Sequence, residues 1–590
     1  MKLKKVFVAV LSVASLSNQA LAFVSSFSTS SQIRHSSQLS ALISKPDFAS
    51  VGSHIEAREQ VNYLKNLPRP KDGPAKVIVI GGGLAGLSTA KHLVDAGHTP
   101  IVLEARSLLG GKIAAWTQDG YTSETGLHVF FGAYPNAMTL FDDLGISDRL
   151  QWKQHKMLFA KPGRPTREFA VFDFPNIPAP LNAGVAILSC ADMLTWPEKI
   201  KLGLGLIPAY VFGQSYVEEQ EGVTVQEWMD ERGIPQSVTD EVFLAMSKAL
   251  GFIGPDRLSM QCVLIALNRF LQETSGSRIA FLDGNPTERL CEPLKEYIEK
   301  RGGQVRLDVP VERFLVNPED NSMAGLLLAG NEVVSADYYV NAMPVDGLKR
   351  LIPTEWKEMP YFSDLQKLRG IPVMNLHVWF DRKLSTVDNL IFSRSPILSV
   401  YADMSEACKE YSNSERSMLE LVLAPAAPYM KKTDEEILRI TLEELERLFP
   451  EEIRVDQSQD GFAKVVKFTC VRTPTSVYET VPGVDEARPT QKSPISNFFC
   501  AGDFSKQKYL ASMEGAILSG KLAATAVADS DLKSQGARSS TKLTPRPRDP
   551  KVDVVRTPDL TMHITKLSNS IPDDVQNELE SRKSAPAIAI

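Results

Sequence analysis

The 590 residues exceed what a single hydrophobic core usually supports, so we expect two intertwined domains after processing. The formal net charge of -6 gives no electrostatic reason to expect a nucleic acid partner. Six scattered cysteines without a CxxC pair argue against both a disulfide framework and a thiolate metal site, and no bound metal is expected.

The N-terminus combines two patterns typical of targeting signals. Three of the first five residues are lysines, and they precede an apolar stretch (residues 6–16) that is too short to span a membrane. The segment that follows is Ser-rich, and the chain has no acidic residue before Asp47. We interpret residues 1–22 as a signal peptide and residues 23–74 as a plastid transit segment and linker. This bipartite presequence resembles those of algae with complex plastids; simple secretion is the alternative.

A nucleotide-binding βαβ unit follows. Lys76–Ile80 reads as a buried strand, Gly81, Gly83 and Gly86 form a GxGxxG turn, and apolar residues then recur at helical spacing before a second strand that ends at Glu104. The glycines allow the backbone to approach a pyrophosphate at the positive end of the helix. Glu104 can accept a hydrogen bond from an adenosine ribose hydroxyl, and its charge disfavours the 2′-phosphate of NADP.

An extension of this motif favours a flavin over a nicotinamide. Ala105 follows the acidic residue directly, and Gly110, Gly111 and Lys112 come shortly afterwards. The extended motif resembles the two-dinucleotide-binding flavoproteins of the amine oxidase and carotenoid desaturase type. In those proteins the second glycine pair lets the chain run close beneath the flavin, which implies FAD as the cofactor.

Two further stretches complete the predicted flavin site. Residues 124–135 (ETGLHVFFGAYP) combine glycine, histidine and aromatics, as a chain that passes flat against a ring system requires; an ordinary apolar strand and turn is the alternative. Near the C-terminus we predict a strand over Asn497–Ala501, a turn at Gly502 and Asp503, and a helix over Ser512–Val527. Asp503 would bind the pyrophosphate–ribityl region, and amides near Met513 would direct the positive helix end at the flavin.

Between these stretches, residues 171–213 are apolar and rich in Pro and Gly. Trp196 and the basic pair Lys199 and Lys201 interrupt two apolar runs, which is typical of an interfacial element that enters one leaflet. A buried helical lid over a substrate cavity is the alternative, and the two are compatible. No uninterrupted apolar stretch is long enough for a transmembrane helix.

Three segments carry a more specific family resemblance. Residues 246–294, which include ALNRFLQE, together with ETGLHVFFGAYPN and KQKYLASMEGAILSG, resemble the plant and algal type of 15-cis-phytoene desaturase. The resemblance covers roughly residues 75–528. It separates the chain from the zeta-carotene desaturases, which share the dinucleotide signature but are not expected to carry ALNRFLQE.

The resemblance implies an activity and its partners. It implies desaturation of 15-cis-phytoene via phytofluene to 9,15,9′-tri-cis-zeta-carotene, flavin reoxidation by plastoquinone, peripheral attachment to the plastid membrane and a possible homo-oligomer. The proton acceptor is unassigned. The predicted cofactor-binding residues are Gly81, Gly83, Ala85, Gly86, Glu104, Ala105, Gly111, Lys112, His128, Val129, Tyr134, Asp503 and Met513. The predicted substrate- or quinone-binding residues are Arg269, Phe131, Tyr478, Thr480 and Leu510.

We therefore predict an α/β protein with a Rossmann-like FAD-binding domain of the amine-oxidase type, intertwined with a mixed-sheet substrate domain and a helical, membrane-facing cap. After the presequence, the predicted order is a first FAD-binding segment (75–170), the cap (171–290), a second FAD-binding segment (291–345), the substrate domain (346–480), a C-terminal FAD-binding segment (481–528) and a flexible tail (529–590).

Three other functions share features of this pattern. An FAD amine oxidase has the same dinucleotide signature but needs a polar or aromatic-caged amine site. A zeta-carotene desaturase shares the fold and the lipid substrate class. A non-catalytic paralogue would bind carotenoid or quinone without turnover.

Overall fold

The computed structural model describes residues 44–69, 73–161, 169–509 and 511–534. The predicted signal peptide, most of the transit segment, most of the predicted tail and Leu510 lie outside the described residues. The helices within the described ranges are α1 (Gly52–Lys65), α2 (Leu84–Asp95), α3 (Pro135–Leu144), α4 (Leu181–Ser189), α5 (Trp196–Phe212), α6 (Gln214–Glu219), α7 (Val225–Glu231), α8 (Gln236–Val238), α9 (Leu244–Gly251), α10 (Met260–Gln272), α11 (Glu292–Glu299), α12 (Val345–Leu351), α13 (Pro360–Ser363), α14 (Met404–Ala407), α15 (Asp434–Leu448) and α16 (Met513–Ser534).

The strands are β1 (Lys76–Ile80), β2 (Thr99–Leu103), β3 (Ala115–Gln118), β4 (Tyr121–Glu124), β5 (Val129–Phe131), β6 (Leu150–Trp152), β7 (Lys156–Ala160), β8 (Phe169–Asp173), β9 (Ile279–Leu282), β10 (Gln304–Arg306), β11 (Val311–Val316), β12 (Met323–Leu328), β13 (Val333–Val334), β14 (Tyr338–Asn341), β15 (Gly370–Phe380), β16 (Ile391–Phe392), β17 (Leu398–Asp403), β18 (Met418–Leu423), β19 (Val465–Tyr478) and β20 (Phe498–Cys500).

A five-stranded parallel sheet carries the dinucleotide motif, in the order β10-β2-β1-β14-β20. Strand β1 is apolar on both faces, as a covered parallel strand requires. Val77 and Val79 pack into the core formed with α2 and α16, whereas Ile78 and Ile80 pack into a second core formed with β11 and β12. The alternation follows from the two-residue period of a strand.

The register of this sheet aligns the carboxyl ends of its strands. Ile80 lies opposite both Leu103 and Asn341, Asn341 lies opposite Cys500, and Arg306 lies opposite Leu103. The turns that follow these strands therefore meet at one edge, which is where open α/β sheets bind their ligands. The strands predicted at 76–80 and 497–501 are both present, as β1 and β20.

A second, seven-stranded mixed sheet has the order β19-β15-β18-β17-β16-β7-β8. Val373 and Val400 on one face belong to a core shared with helices α4 to α10, while Leu376 and Leu421 on the other face pack against α15. The segment predicted as the substrate domain (346–480) contributes β15 to β19 to this sheet and also contains α15.

The second predicted FAD-binding segment (291–345) contributes to two sheets. Strand β10 extends the parallel sheet, and β11 joins a separate three-stranded sheet. Pro310 and Asp308, which has a positive φ, separate them. Before β10, a π-helical turn (Thr287–Cys291) leads directly into α11.

The predicted linker also contains a helix, α1. Its buried residues recur at helical spacing and include Ser53, His54, Ala57 and Leu64, which face the rest of the chain. At the other end, α16 runs to Ser534, into the stretch predicted to be tail. Throughout the described ranges, none of the helices combines the length and apolar character that crossing a membrane requires.

Candidate active site

The first turn after β1 is shaped for a close approach of the backbone to a ligand. Gly81 has a φ of +113°, and a Cβ on Gly86 would lie 1.9 Å from the Gly81 carbonyl oxygen. Helix α2 starts directly after Gly83, and no side chain of the described residues caps it. The first N–H groups of α2 are therefore available to a phosphate.

Glu104 follows the end of β2, beside this turn. One of its carboxylate oxygens accepts the Gly82 N–H at 2.7 Å, and the other accepts the Arg106 N–H at 3.0 Å. A carboxylate has about four acceptor positions, so Glu104 can also accept ribose hydroxyls. Ala105 lies in the same turn.

The second glycine pair packs directly on the first turn. Gly110 N–H donates to the Gly82 carbonyl at 3.0 Å, and a Cβ on Gly111 would lie 3.2 Å from the Gly83 Cα. Lys112 then reaches the opposite end of the chain, where its Nζ forms an ion pair with Asp503 at 2.8 Å. The structure thus brings the two ends of the predicted flavin site together.

The aromatic–glycine segment lies between the cofactor residues and α10. Gly132 is held so closely to a neighbouring loop that a Cβ would lie 1.9 Å from the Ser275 carbonyl oxygen. The ring centroid of Phe131 lies 5.4 Å from that of Tyr134 and 5.7 Å from that of Phe270. Phe131 is therefore next to the helix that carries Arg269.

His128 and Glu124 form a buried pair beneath this segment. His128 Nε2 donates to the Lys112 carbonyl at 3.0 Å, and Nδ1 lies 3.1 Å from a Glu124 carboxylate oxygen. Burial and the neighbouring Glu420 carboxylate raise the pKa of Glu124. Burial lowers the pKa of His128, but Glu124 outweighs it and the net shift is upward. The pair ties the loop after Gly111 to β4 and β5, and places Val129 beside it.

Helix α16 closes the site from the C-terminal side. It begins at Met513, and Ser512 Oγ accepts the Gly515 N–H at 3.1 Å. Glu514 is fully buried and accepts the backbone N–H groups of Asn136 and Ala137, each at 2.9 Å, so it caps α3 from another helix. The sequence pattern did not point to Glu514; its only signal was an acidic residue in the first turn of a helix otherwise rich in small and apolar residues.

Helix α16 also packs unusually closely on α2. A Cβ on Gly520 would lie 2.4 Å from the Ala85 carbonyl oxygen, and Ser88 Oγ donates to the Ile517 carbonyl at 2.8 Å. A small residue at this position of α16 therefore allows the backbones of the two helices to come into contact. Ala85 lies at this contact.

Two of the predicted substrate residues line a cavity beside α10, whereas Arg269 and Phe131 are not among its lining residues. Tyr478 and Thr480 line it together with Tyr509, Cys262 and Ile265. The Arg269 guanidinium lies over the Tyr509 ring at 4.8 Å. Tyr509 lies in the quoted KQKYLASMEG stretch but was not predicted as a site residue. Leu510 lies outside the described residues.

Buried polar atoms without partners lie at this cavity or next to it. Arg269 Nη1, Tyr509 OH and Thr480 Oγ1 have no hydrogen-bond partner among the described residues. An unpaired buried polar atom costs about 1–3 kcal/mol, so such atoms are normally satisfied by a ligand or by water. The unpaired donors Arg269 Nη1 and Tyr509 OH are therefore suited to a ligand that carries a hydrogen-bond acceptor.

Together, the uncapped α2, the two glycine turns, Glu104 and the Lys112–Asp503 pair fit a dinucleotide whose second half lies toward α16. These features define a flavin-dependent oxidoreductase. In agreement, the family model of flavin containing amine oxidoreductases matches residues 84–528. The chain belongs to this family.

Curated relatives narrow the assignment within the family. The chain is 56% identical over 502 residues to the 15-cis-phytoene desaturase of Capsicum annuum, covering 85% of each protein. It is also 56% identical over 458 residues to the 15-cis-phytoene desaturase of Synechococcus elongatus, covering 77% of this chain and 95% of that one. Within the flavin containing amine oxidoreductases, it is thus a member of the 15-cis-phytoene desaturase group.

Two further comparisons concern a sister group and the fold. Identity to the zeta-carotene desaturase of Capsicum annuum is 32%, over 82% of this chain and 86% of that one, which supports the predicted separation from this sister group. A solved oxidoreductase from Methanosarcina mazei has the same fold, with a TM-score of 0.59, 17% identity and coverage of 75% of this chain and 98% of its own. The predicted amine-oxidase-type FAD-binding fold and the FAD cofactor are confirmed, while the membrane-facing role of the cap stays a prediction.

Proposed function

We propose that the protein desaturates 15-cis-phytoene to 9,15,9′-tri-cis-zeta-carotene via phytofluene and transfers the electrons to plastoquinone. The observation that carries this proposal is the arrangement of the site. A cavity lined by apolar and aromatic side chains as well as polar ones includes Tyr509, and the guanidinium of Arg269 lies over the Tyr509 ring. Its relatives are 15-cis-phytoene desaturases, and the same substrate is proposed for this chain.

The chain's own residues hold and orient the cofactor. Bound FAD supplies a hydride acceptor. The α2 N-terminus would bind the pyrophosphate, Glu104 the adenosine ribose, and Lys112 with Asp503 the region between pyrophosphate and ribityl chain. The first turn of α16, near Met513, presents the positive end of a long helix to the ring end of the site.

The cavity recognises the hydrocarbon by shape. Phytoene offers no heteroatom to a hydrogen-bond donor, so positioning depends on packing and on the exclusion of water. Tyr478 supplies aromatic surface in the cavity, and Ile265 and Val481 supply aliphatic surface. We propose that the Phe131–Phe270 pair adds aromatic surface next to it. We propose that these side chains align the saturated carbon pair of the substrate with the ring end of the cofactor.

The electron acceptor requires different contacts. A quinone carries carbonyl oxygens that can accept the hydrogen bonds which Arg269 Nη1 and Tyr509 OH leave unmade within the described residues. We therefore propose that plastoquinone binds in the same cavity, with a carbonyl toward Arg269 and the tail along the apolar wall.

The substrate is expected to enter from lipid. At about 0.8 kcal/mol per CH₂, exposing about twenty carbons to water would cost on the order of 16 kcal/mol. Helices α4 and α5 carry the large exposed apolar side chains Leu181, Trp196, Ile200 and Leu204, which are 49–58% exposed. The last three recur every fourth residue and share one face of α5. We propose that this face lies on a plastid membrane and that the chain is a peripheral membrane protein, with a possible homo-oligomer.

The plastid location has two sources of support. Plant relatives are described as chloroplastic or chromoplastic, and the first 43 residues have the composition of a signal and transit presequence. We propose import into a complex plastid; a fluorescent fusion of the first 74 residues should accumulate in plastids of such an alga, and secretion would contradict this.

An anaerobic visible spectrum tests the proposed activity. FAD-loaded protein in lipid is mixed with 15-cis-phytoene and then with decyl-plastoquinone. The expected result is loss of the oxidised flavin bands, growth of a three-peaked polyene absorbance, and recovery of the flavin bands on addition of the quinone.

The Arg269→Met variant serves as the control. It should bleach with phytoene but regain oxidised flavin slowly with quinone, because it retains the apolar cavity and loses the hydrogen-bond donor. An unchanged flavin with phytoene, combined with bleaching by a simple amine, would indicate an amine oxidase. Binding of phytoene without bleaching would indicate a carrier.

A further inference from the structure

We propose that helix α1 is a positioning element for Arg269, acting through Ser53 and Glu273, and that it thereby determines affinity for the acceptor substrate. The inference deepens the proposed function and rests on it, because it takes Arg269 as the donor to a quinone-type carbonyl. Helix α1 lies before residues 84–528, which the family model matches.

Helix α1 touches the walls of the site at four places. Each contact joins its buried face to a segment that carries a predicted or observed site residue. The contacts are Ser53 Oγ to a Glu273 carboxylate oxygen at 2.7 Å, His54 Nε2 to the Gly132 carbonyl at 2.9 Å, Glu56 with Lys508, and Lys521 Nζ to the Ala57 carbonyl at 3.2 Å. A helix that only covered the surface would not need polar contacts to all four segments.

The contact with Glu273 reaches the guanidinium directly. Glu273 lies one helical turn after Arg269, both side chains are nearly fully buried, and Arg269 Nη1 lies 3.7 Å from Glu273 Oε1. Ser53 donates to the same oxygen, so it fixes the carboxylate that faces the cation. Burial raises the pKa of Glu273 and the net shift is upward, although Arg269 and Ser53 partly offset it.

This geometry orients Arg269 without using up its donors. A separation of 3.7 Å preserves Coulomb attraction but is too long for a hydrogen bond. Among the described residues, Arg269 Nη1 therefore has no acceptor. Glu273 Oε2 likewise has no donor. The guanidinium is held in place with an N–H group that a ligand oxygen can satisfy.

The arrangement distinguishes the two proposed substrates. A hydrocarbon cannot accept a hydrogen bond, so a displaced guanidinium changes its binding little. A quinone carbonyl would lose its donor. A purely structural role for α1 would lower stability and affect both substrates alike, whereas a positioning role affects the quinone selectively.

The test uses FAD-loaded full chains carrying Ser53→Ala or Glu273→Gln. The first removes the donor that fixes the carboxylate, and the second keeps the shape and the acceptor oxygen but removes the charge. Glu59→Gln on the exposed face of the same helix is the matched control. Two quantities are measured: the dissociation constant of decyl-plastoquinone from the oxidised holoenzyme, and the KM for phytoene. Flavin content and the thermal midpoint check folding.

The expected result is about tenfold weaker quinone binding in both variants, as the loss of one oriented hydrogen bond predicts, with the phytoene KM within about twofold of wild type. The control should match wild type in both. Equal quinone affinity in all four proteins would overturn the inference. A parallel rise in the quinone dissociation constant and the phytoene KM would also overturn it. Failure of wild type to bind quinone would also overturn it. Failure of wild type to form a polyene from phytoene counts against the proposed function instead.

Discussion

The exposed face of α5 makes a quantitative prediction about membrane binding. Ile200 is 58% exposed and Leu204 is 56% exposed, and both lie on the face proposed to enter the lipid. The perturbation is the double substitution Ile200→Ser and Leu204→Ser. It replaces apolar surface with hydroxyl groups at positions where neither side chain contributes to a buried core.

The contribution of these two side chains to the free energy of membrane binding follows from their solvent-exposed area. Full burial of such a side chain is worth about 2 kcal/mol, and slightly more than half of each remains exposed, so lipid contact is worth about 1 kcal/mol per residue. The pair then contributes about 2 kcal/mol, which corresponds to a decrease of about 30-fold in the vesicle partition coefficient. Thermal stability should change little because the substituted surface is solvent-facing.

The assay is cosedimentation with phosphatidylcholine vesicles at fixed salt. The matched control is Val333→Ser, because Val333 is 61% exposed but belongs to β13, outside α4 and α5. The control should partition like wild type. Retention of wild-type partitioning by the double variant would refute the proposed lipid-facing surface, and so would an equal loss in Val333→Ser.

Three further predictions concern the cofactor site and α1. Gly86→Ala should yield protein without the visible absorbance of bound flavin, because the new Cβ would lie 1.9 Å from the Gly81 carbonyl oxygen; normal flavin content would contradict the proposed cradle. Lys112→Met should weaken FAD binding by about tenfold or more in a flavin fluorescence titration, since Asp503 would face the pyrophosphate unpaired; unchanged affinity would contradict the role given to this pair. Burial lowers the pKa of His54 to about 4, so the native state keeps this imidazole neutral and its contribution to stability is full above about pH 6.5 and is lost as the pH falls toward 4. The free energy of unfolding, measured with denaturant, should fall between pH 7.5 and pH 5 by about 2 kcal/mol less in His54→Gln than in wild type. An equal fall in both proteins would contradict this pKa shift.

Local patterns were sufficient to predict the dinucleotide unit and its flavin extension. The β1 strand, the GxGxxG turn, α2 and the acidic residue after β2 are contiguous, and their periodicity and spacing report directly on backbone geometry. The family resemblance extended the predicted cofactor site to residues far apart in the chain, such as Lys112 and Asp503. In the structure, Lys112 Nζ lies 2.8 Å from an Asp503 carboxylate oxygen.

Other features depended on contacts between distant segments. Whether α1 was a linker or belonged to the site could not be read from its sequence, because its polar residues look like ordinary helix surface until their partners are known. Glu514 resembles any acidic residue near a helix start, yet it caps α3 across nearly 380 positions. Tyr509 is recognisable as a site residue only because its ring lies under Arg269.

The physical reason for this division is the range of the interactions. Backbone conformation and the burial of one face of a strand or helix are set by neighbours within a few residues, so the sequence alone determined the fold class and the cofactor signature. A buried charge is stabilised by whichever partners the folded chain brings within a few ångströms, and those partners come from α1, α10 and α16 together. The tertiary structure alone therefore decided that Arg269 is held by Glu273 and Ser53 and retains an N–H group for a ligand.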